Sequence, residues 1–237
     1  MEGTTAEVPA SSREAGSAYV DLAVVGYLLY GVGAVTAFLA AALALSDAEA
    51  ALHSSLLAVG LLAAGFGTDR FDSAIGPTRA NIVAYALLAL GSVSIVTALA
   101  YPLTLAGAGS IGLGVGLLLA HANRALTRGG GTLAQLRMNR SGLIAMVGSM
   151  SVPVVIWLGG VVSVGWELAF VVAGGLVVAG LYAMRWRQDI TAATQTLAEG
   201  RLQRGFWLTW WLVVLGVSIE FGIVFWASTL VERQVEV

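Results

Sequence analysis

Long apolar segments separated by short polar ones run through almost the whole chain. Because the hydrocarbon core of a bilayer is ~30 Å thick, a helix needs about 20 apolar residues to cross it. Seven segments approach or exceed that length, and we place them at residues 18–45, 52–68, 80–103, 104–124, 141–163, 166–184 and 206–230. The pattern predicts an all-α, polytopic membrane protein with seven transmembrane helices.

The polar connections are of two kinds, and the contrast predicts the topology. The connections near residues 46–51, 101–102 and 159–165 contain no arginine. The N-terminal segment and the other connections hold eleven of the twelve arginines, namely Arg13, Arg70, Arg79, Arg124, Arg128, Arg137, Arg140, Arg185, Arg187, Arg201 and Arg204. Cytoplasmic loops carry an excess of cations, so we expect a cytoplasmic N-terminus and an external tail at 231–237.

The remaining polar stretches complete the predicted organisation. Residues 1–17 are acidic and rich in small side chains, which favours a disordered cytoplasmic tail. Residues 18–184 form a six-helix bundle, and residues 185–205 form a cytoplasmic linker to the seventh helix. Three consecutive glycines, 129–131, precede a basic segment that could lie at the membrane interface.

Composition supports a membrane location and excludes several functions. Hydrophobic residues make up 58% of the chain and charged residues 11%, against about 25% charged in soluble domains. The chain has no lysine, so it cannot form the Schiff base of a retinal pigment. It has no cysteine either, which excludes disulfides and thiolate metal sites. We expect no cofactor, no metal, no nucleic-acid partner and no enzymatic activity.

A charged interruption at residues 65–79 carries the most informative motif. Gly65 is followed after three residues by Asp69 and Arg70, and Gly76 and Arg79 come later. This order resembles the signature between the second and third helices of the major facilitator superfamily of secondary transporters. The glycine-rich fourth segment and the tryptophan-rich seventh segment are similar to those of bacterial drug and sugar exporters in that superfamily.

The resemblance implies a fold, a role for the charged interruption and a missing part. The fold would be half of a transporter, with a 3+3 inverted repeat in the bacterial plasma membrane, and residues 65–79 would form a cytoplasmic gating loop. Alternatively, these charges only determine topology. Asp69 could accept hydrogen bonds from the start of the next helix, or pair with Arg70 and Arg79. Since such transporters have twelve helices, we expect a second membrane chain or a second copy to complete the transporter.

Three further side chains are candidates for chemistry within the membrane. Glu220 lies near the centre of the seventh segment, where an ionisable group is costly and therefore suggests function. It could couple transport to protons or contact a substrate, or it could be a neutral carboxyl bonded across a helix interface. Tyr27 and Tyr30 share one face of the first helix and could line a cavity or simply pack. Asp21, near the inner end of that helix, could face the headgroups, and we expect a capping or topological role for it in preference to substrate binding.

The sequence thus predicts a transporter of small organic molecules, incomplete as encoded, that acts in export and could be proton-coupled. The alternative is a non-transporting membrane protein. That protein would be either a truncated product or an assembly module that binds another membrane chain.

Overall fold

A computed structural model describes residues 11–186 and thirteen further positions between residues 205 and 223. The first range contains six α-helices, each long and apolar enough to cross a membrane, the sixth together with the 3₁₀ turn that follows it. They are α1 (Ser12–Leu43), α2 (Asp47–Ile75), α3 (Pro77–Thr97), α4 (Tyr101–Thr127), α5 (Gly131–Val161) and α6 (Leu168–Ala183). A short 3₁₀ turn, Met184–Trp186, follows α6. The protein is an all-helical, multi-pass membrane protein over this range.

The first six predicted segments each overlap one of these helices, but the helix ends differ from the predicted limits. Residues 12–17, assigned to the tail, already belong to α1, and α5 begins ten residues before its predicted start at 141. Helix α3 ends at Thr97, so residues 101–103 belong to α4 instead. Hydropathy locates the part of a helix that crosses hydrocarbon, whereas backbone hydrogen bonding continues into the polar residues on either side.

Local sequence explains where several helices start and stop. Ser46 and Glu49 form a capping box at the start of α2: the Glu49 backbone N–H donates to the Ser46 hydroxyl, and the Ser46 backbone N–H donates to the Glu49 carboxylate. Glycines 129, 130 and 131 all have positive φ, a conformation that glycine adopts at little steric cost. The predicted triple-glycine connection is therefore a tight turn between α4 and α5.

The predicted seventh helix lies mostly outside the described residues. The thirteen described positions between 205 and 223 are helical, and they belong to a second compact unit, residues 191–237. Residues 1–10, residues 187–204 of the predicted linker and the predicted external tail at 231–237 are outside the described part of the chain. A seventh spanning helix remains a prediction.

Helices α1 and α4 occupy the centre of the first unit, residues 1–190. Helix α4 packs mainly against α2 and α3, whereas α1 packs mainly against α5 and α4 and less extensively against α6. Helices α3 and α6 are also in contact. The shared core contains Tyr85, Leu28, Leu57, Leu88 and Ile111, all fully buried.

Glycines let the central helices approach their main neighbours closely. A Cβ on Gly26 of α1 would collide with the carbonyl oxygen of Ala145, and a Cβ on Gly148 of α5 would collide with that of Ala23. Helices α2 and α4 repeat this arrangement. A Cβ on Gly112 would collide with the Leu57 carbonyl, and one on Gly60 with the Gly109 carbonyl. Small residues allow this backbone-to-backbone packing in membranes.

Candidate functional site

The charged segment between α2 and α3 is helical over most of its length. Helix α2 continues to Ile75, and the only break among residues 65–79 is at Gly76, which has a φ of 84°. Pro77 then occupies the first turn of α3, a position that tolerates its missing N–H. The predicted loop is therefore the last turns of α2 and the first turn of α3, joined by one glycine.

Asp69 and Asp72 project from the end of α2 toward α4. One nitrogen of the Arg124 guanidinium donates to Asp72 Oδ2 at 2.6 Å, and the other donates to Asp69 Oδ1 at 2.5 Å. The expected partners of Asp69 were different: Arg70, Arg79 or the start of α3. Arg70 and Arg79 are exposed, and the start of α3 has no side-chain cap. Arg124 reaches both carboxylates because Asp69 and Asp72 lie on one helix face.

His121 joins a third helix to this ion pair. Its Nε2 lies 2.8 Å from Asp72 Oδ1, and its Nδ1 lies 2.9 Å from Asn81 Oδ1 on α3. His121 is one turn before Arg124 on α4, so both side chains reach the same end of α2. We call Asp69, Asp72, Asn81, His121 and Arg124 the inner cluster. It ties α2, α3 and α4 together at the predicted cytoplasmic end.

Solvent exposure differs sharply within the inner cluster. The Asp72 side chain is 14% exposed and that of His121 6%, whereas Asp69 is 79% exposed. Arg124 is intermediate at 47%. Asp72 is thus the sheltered hub of the cluster, and Asp69 remains accessible to another molecule.

A second polar contact lies deeper in the bundle. The hydroxyl of Tyr85 on α3 donates to Asp21 Oδ1 of α1 at 2.5 Å, and both residues are fully buried. Gly180 of α6 lies against the Tyr85 ring, because a Cβ there would collide with the hydroxyl. The idea that Asp21 could face the headgroups is wrong, since its carboxylate points into the bundle.

The inner cluster and the Asp21–Tyr85 contact lie close to each other along α3. Asn81 and Tyr85 are four residues apart, so they share one helix face about one turn from each other. Both face the interior, since Asn81 is 4% exposed and Tyr85 fully buried. Helix α3 therefore carries buried polar groups from its predicted cytoplasmic end into the interior of the bundle.

The predicted tyrosine pair divides between different environments. Tyr27 is buried, and its hydroxyl donates to the backbone oxygen of Ala169 at 2.8 Å, which fastens the first turn of α6 to α1. Tyr30 is partly buried. The role of either tyrosine in a cavity wall stays a prediction. Glu220 is helical and exposed within the second unit, and its role remains a prediction.

Sequence reasoning missed Asp72, Asn81, His121 and the partner of Asp21. One signal was present: Asp69 and Asp72, like His121 and Arg124, are three residues apart at the polar ends of adjacent apolar segments. Among the described residues, no group of three or more acidic, histidine or cysteine side chains is placed to hold a metal ion. No protein-family model matches the chain, and no curated protein matches it.

Proposed function

We propose that this chain is a half-transporter of the major facilitator type, which exports small organic molecules together with a second membrane unit. The second unit would be another membrane chain or a second copy of this one. Export as the direction rests on the resemblance to bacterial exporters alone. The observation that carries the proposal is an exchange symmetry in the packing of α1–α6.

Exchanging helices α1–α3 with α4–α6 leaves the same helix pairs in contact, although the contact of α3 with α4 is more extensive than that of α1 with α6. The main contact of α1 with α5 becomes that of α4 with α2, and the contact of α1 with α6 becomes that of α4 with α3. The glycines obey the same exchange, since in both crossings each glycine faces the carbonyl three residues before its partner glycine. Because three helices put the second set in the membrane upside down, this symmetry supports an inverted repeat, a common transporter architecture.

The inner cluster supports a gating role for Asp69 and Arg70. Asp72 and Arg124 fix the end of α2 within this unit. Asp69, in contrast, is 79% exposed, and the neighbouring Arg70 is also exposed. These two charges can bind a second unit in one transport state and release it in the other, without disturbing the fold of the first.

Asp21 is our candidate for proton coupling. A carboxyl in a membrane interior is costly and marks function by default, and this one is held by Tyr85 in the core of the unit. The carboxylate can take a proton from water that enters when the transporter opens. The Tyr85 hydroxyl then loses its anionic acceptor, and the contact between α1 and α3 weakens. Proton binding would in this way loosen the packing of a central helix.

The test measures flux driven by a pH gradient in inverted membrane vesicles, with ethidium and a labelled disaccharide as probes. Vesicles from cells that express the chain should accumulate at least one probe above the level of vesicles without it. Asp21→Asn should abolish the coupled flux, and Asp21→Glu should retain part of it. Asp47→Asn, which removes the same charge from an exposed position at the start of α2, is the matched control.

The alternative function is an assembly module that binds another membrane protein without transport. Helices α2 and α5, which the exchange symmetry relates, are the least buried spans of the unit, so they offer apolar faces to a partner helix as well as to lipid. Co-purification of a second membrane chain, with no flux of either probe and no effect of Asp21→Asn, would favour this function and contradict the transporter proposal.

A further inference from the structure

A pocket of about 270 Å³ opens between the start of α1 and the start of α5. It is separate from the inner cluster and from Asp21. Its polar lining consists of Ser12 and Tyr19 from α1 and Arg137 and Arg140 from α5, and its apolar lining includes Leu133 and Leu136. One wall therefore combines two guanidinium groups with two leucines.

The electrostatic balance of this pocket is positive. Among the residues that the structure describes, no acidic side chain lines it. The nearest acidic residue along α1, Glu14, is 3% exposed and forms an ion pair with Arg128 at 2.7 Å, so its charge is already neutralised. Arg137 and Arg140 are three residues apart, which places both on one helix face. This geometry suits an anion with several oxygen acceptors, because guanidinium groups bind phosphate oxygens in pairs.

The pocket lies at the level where lipid headgroups meet the protein. The predicted apolar segments begin at residue 18 in α1, beside Tyr19 of the pocket lining, and at residue 141 in α5, directly after Arg140. Leu133, Leu136, Arg140, Leu143 and Val147 follow one another at alternating steps of three and four residues along one face of α5. The four apolar members are about half or more exposed, with values from 49% to 69%. An apolar track therefore leads from the basic pocket into the membrane.

We propose that this pocket binds the phosphate group of an anionic phospholipid from the cytoplasmic leaflet. Arg137 and Arg140 contact the phosphate oxygens, and Ser12 and Tyr19 supply hydroxyl donors. An acyl chain of the same lipid lies along the track formed by Leu136, Leu143 and Val147. Basic pockets between transmembrane helices on the cytoplasmic side are a general mode of anionic lipid recognition. A free phosphate would use the pocket but not the track.

Lipid binding in this pocket would join the start of α1 to the start of α5, which are far apart in the sequence. The pocket wall from α5 directly follows the triple-glycine turn, and the wall from α1 is the first helical segment of the protein. A bound phosphate would hold the start of α1 to the start of α5 below their close crossing at Gly26 and Gly148. The lipid should therefore stabilise the six-helix unit as well as bind to it.

The experiment measures lipid binding to the full chain by native mass spectrometry and by thermal unfolding in detergent. Phosphatidylglycerol is compared with phosphatidylcholine, inorganic phosphate and glycerol 3-phosphate. For the unsubstituted protein, we expect a retained phosphatidylglycerol molecule and a raised unfolding temperature, with little effect of the other three. The double variant Arg137→Gln/Arg140→Gln should bind phosphatidylglycerol about tenfold more weakly, since each basic residue contributes to attraction of anionic lipid.

The matched control is Arg70→Gln/Arg79→Gln, which removes two exposed arginines from the same predicted side of the membrane. It should retain the bound lipid. Equal loss in both double variants would show that only overall charge matters and would overturn the proposal. Binding of inorganic phosphate as tight as that of the lipid would assign the pocket to a soluble phosphate. Arg140→Gln alone changes an exposed side chain, so this single variant serves as the test if the double variant fails to fold. It should bind phosphatidylglycerol more weakly than the unsubstituted protein.

Discussion

The two halves of the six-helix unit share a helix crossing but differ at its ends. Gly26 with Gly148, and Gly112 with Gly60, make the same reciprocal backbone contact. If Gly60 of α2 is aligned with Gly148 of α5, the positions in α5 equivalent to Asp69 and Asp72 are Trp157 and Gly160. The offset between Gly26 and Gly112 likewise relates His121 and Arg124 to Val35 and Phe38. These four members of the inner cluster therefore have apolar counterparts at the opposite end of the unit.

This difference shows that the two halves are related by their helix packing, whereas the charged side chains of the inner cluster occur in one half-to-half position without an equivalent at the other. The crossing needs only small residues, which can occur in both halves without any similarity in the surrounding sequence. Among the described residues, the ion pairs of Arg124 with Asp69 and Asp72, and of Arg128 with Glu14, lie at the predicted cytoplasmic end. At the other end of α2 and α4, the helices are joined by hydrogen bonds: His53 Nε2 lies 2.9 Å from the Thr104 hydroxyl, and the Tyr101 hydroxyl donates to the Glu49 backbone oxygen at 3.3 Å. We infer that the inner end is the one that salt and charge substitutions can loosen.

The largest expected effect concerns which end is inside. The chain has no native cysteine, so single cysteines can be labelled without a background. Leu99→Cys, in the turn between α3 and α4, should react with a membrane-impermeant maleimide in intact cells, because that turn is predicted to be external. Thr132→Cys, at the start of α5, should react only after the membrane is permeabilised. The reverse labelling pattern would show that the end with the inner cluster is external and the opposite end is cytoplasmic.

The next largest effect tests whether the two crossings are equivalent. Gly26→Ala and Gly112→Ala each place a Cβ against a backbone carbonyl that cannot move aside easily. Each should lower the free energy of unfolding in detergent by about 2–3 kcal/mol, as overpacking does in tight cores. Gly174→Ala in α6, where a Cβ has open space, should leave it unchanged or raise it slightly. A large effect in one crossing and none in the other would contradict the symmetric arrangement.

A smaller effect tests the ionic character of the inner end. Asp72 and Arg124 should show a coupling free energy of about 1 kcal/mol in a double-mutant cycle with Asp72→Asn and Arg124→Gln. The value is modest because Arg124 is half-exposed and solvent screens the pair. The coupling should shrink as salt is raised from 0.05 to about 0.5 M, whereas the effect of Thr104→Val at the other end should not change.

A salt-independent coupling between Asp72 and Arg124 would contradict this assignment. It would mean that the pair is sealed from solvent, and that the inner end is held as rigidly as the apolar outer end.

Much of the fold could be predicted from hydropathy alone, and the reasons for the exceptions are physical. The six spans follow from apolar length, since a bilayer leaves few alternatives to a helix. Helix ends such as Ile75 and Gly131 could not be predicted in this way, because polar residues beyond the hydrocarbon core can either continue a helix or end it. The inverted pairing could not be predicted either, since a close helix crossing needs only a glycine at the right depth.

The candidate site was predicted in part. Asp69 was selected through its motif, but Arg124 was not identified as its partner because the two are joined only through the packing of α2 against α4. The sequence allowed Asp21 to face the headgroups, because its distance from the helix start gives its depth but not its direction. The rotation of α1, which turns Asp21 toward Tyr85, depends on the close approach at Gly26.

The smallest expected effect separates gating from folding at the inner end. Asp69→Asn should change the free energy of unfolding by no more than about 0.3 kcal/mol, because its carboxylate is 79% exposed and exposed ion pairs contribute little. If Asp69 serves as a gate, the same variant should nevertheless reduce flux in vesicles severalfold, with Asp47→Asn as the control. Loss of flux with unchanged stability would assign the exposed carboxylate to contact with a second unit. A loss of stability above about 1 kcal/mol would instead place Asp69 beside Asp72 as a structural member of the cluster, and the accessible charge would then belong to Arg70 alone.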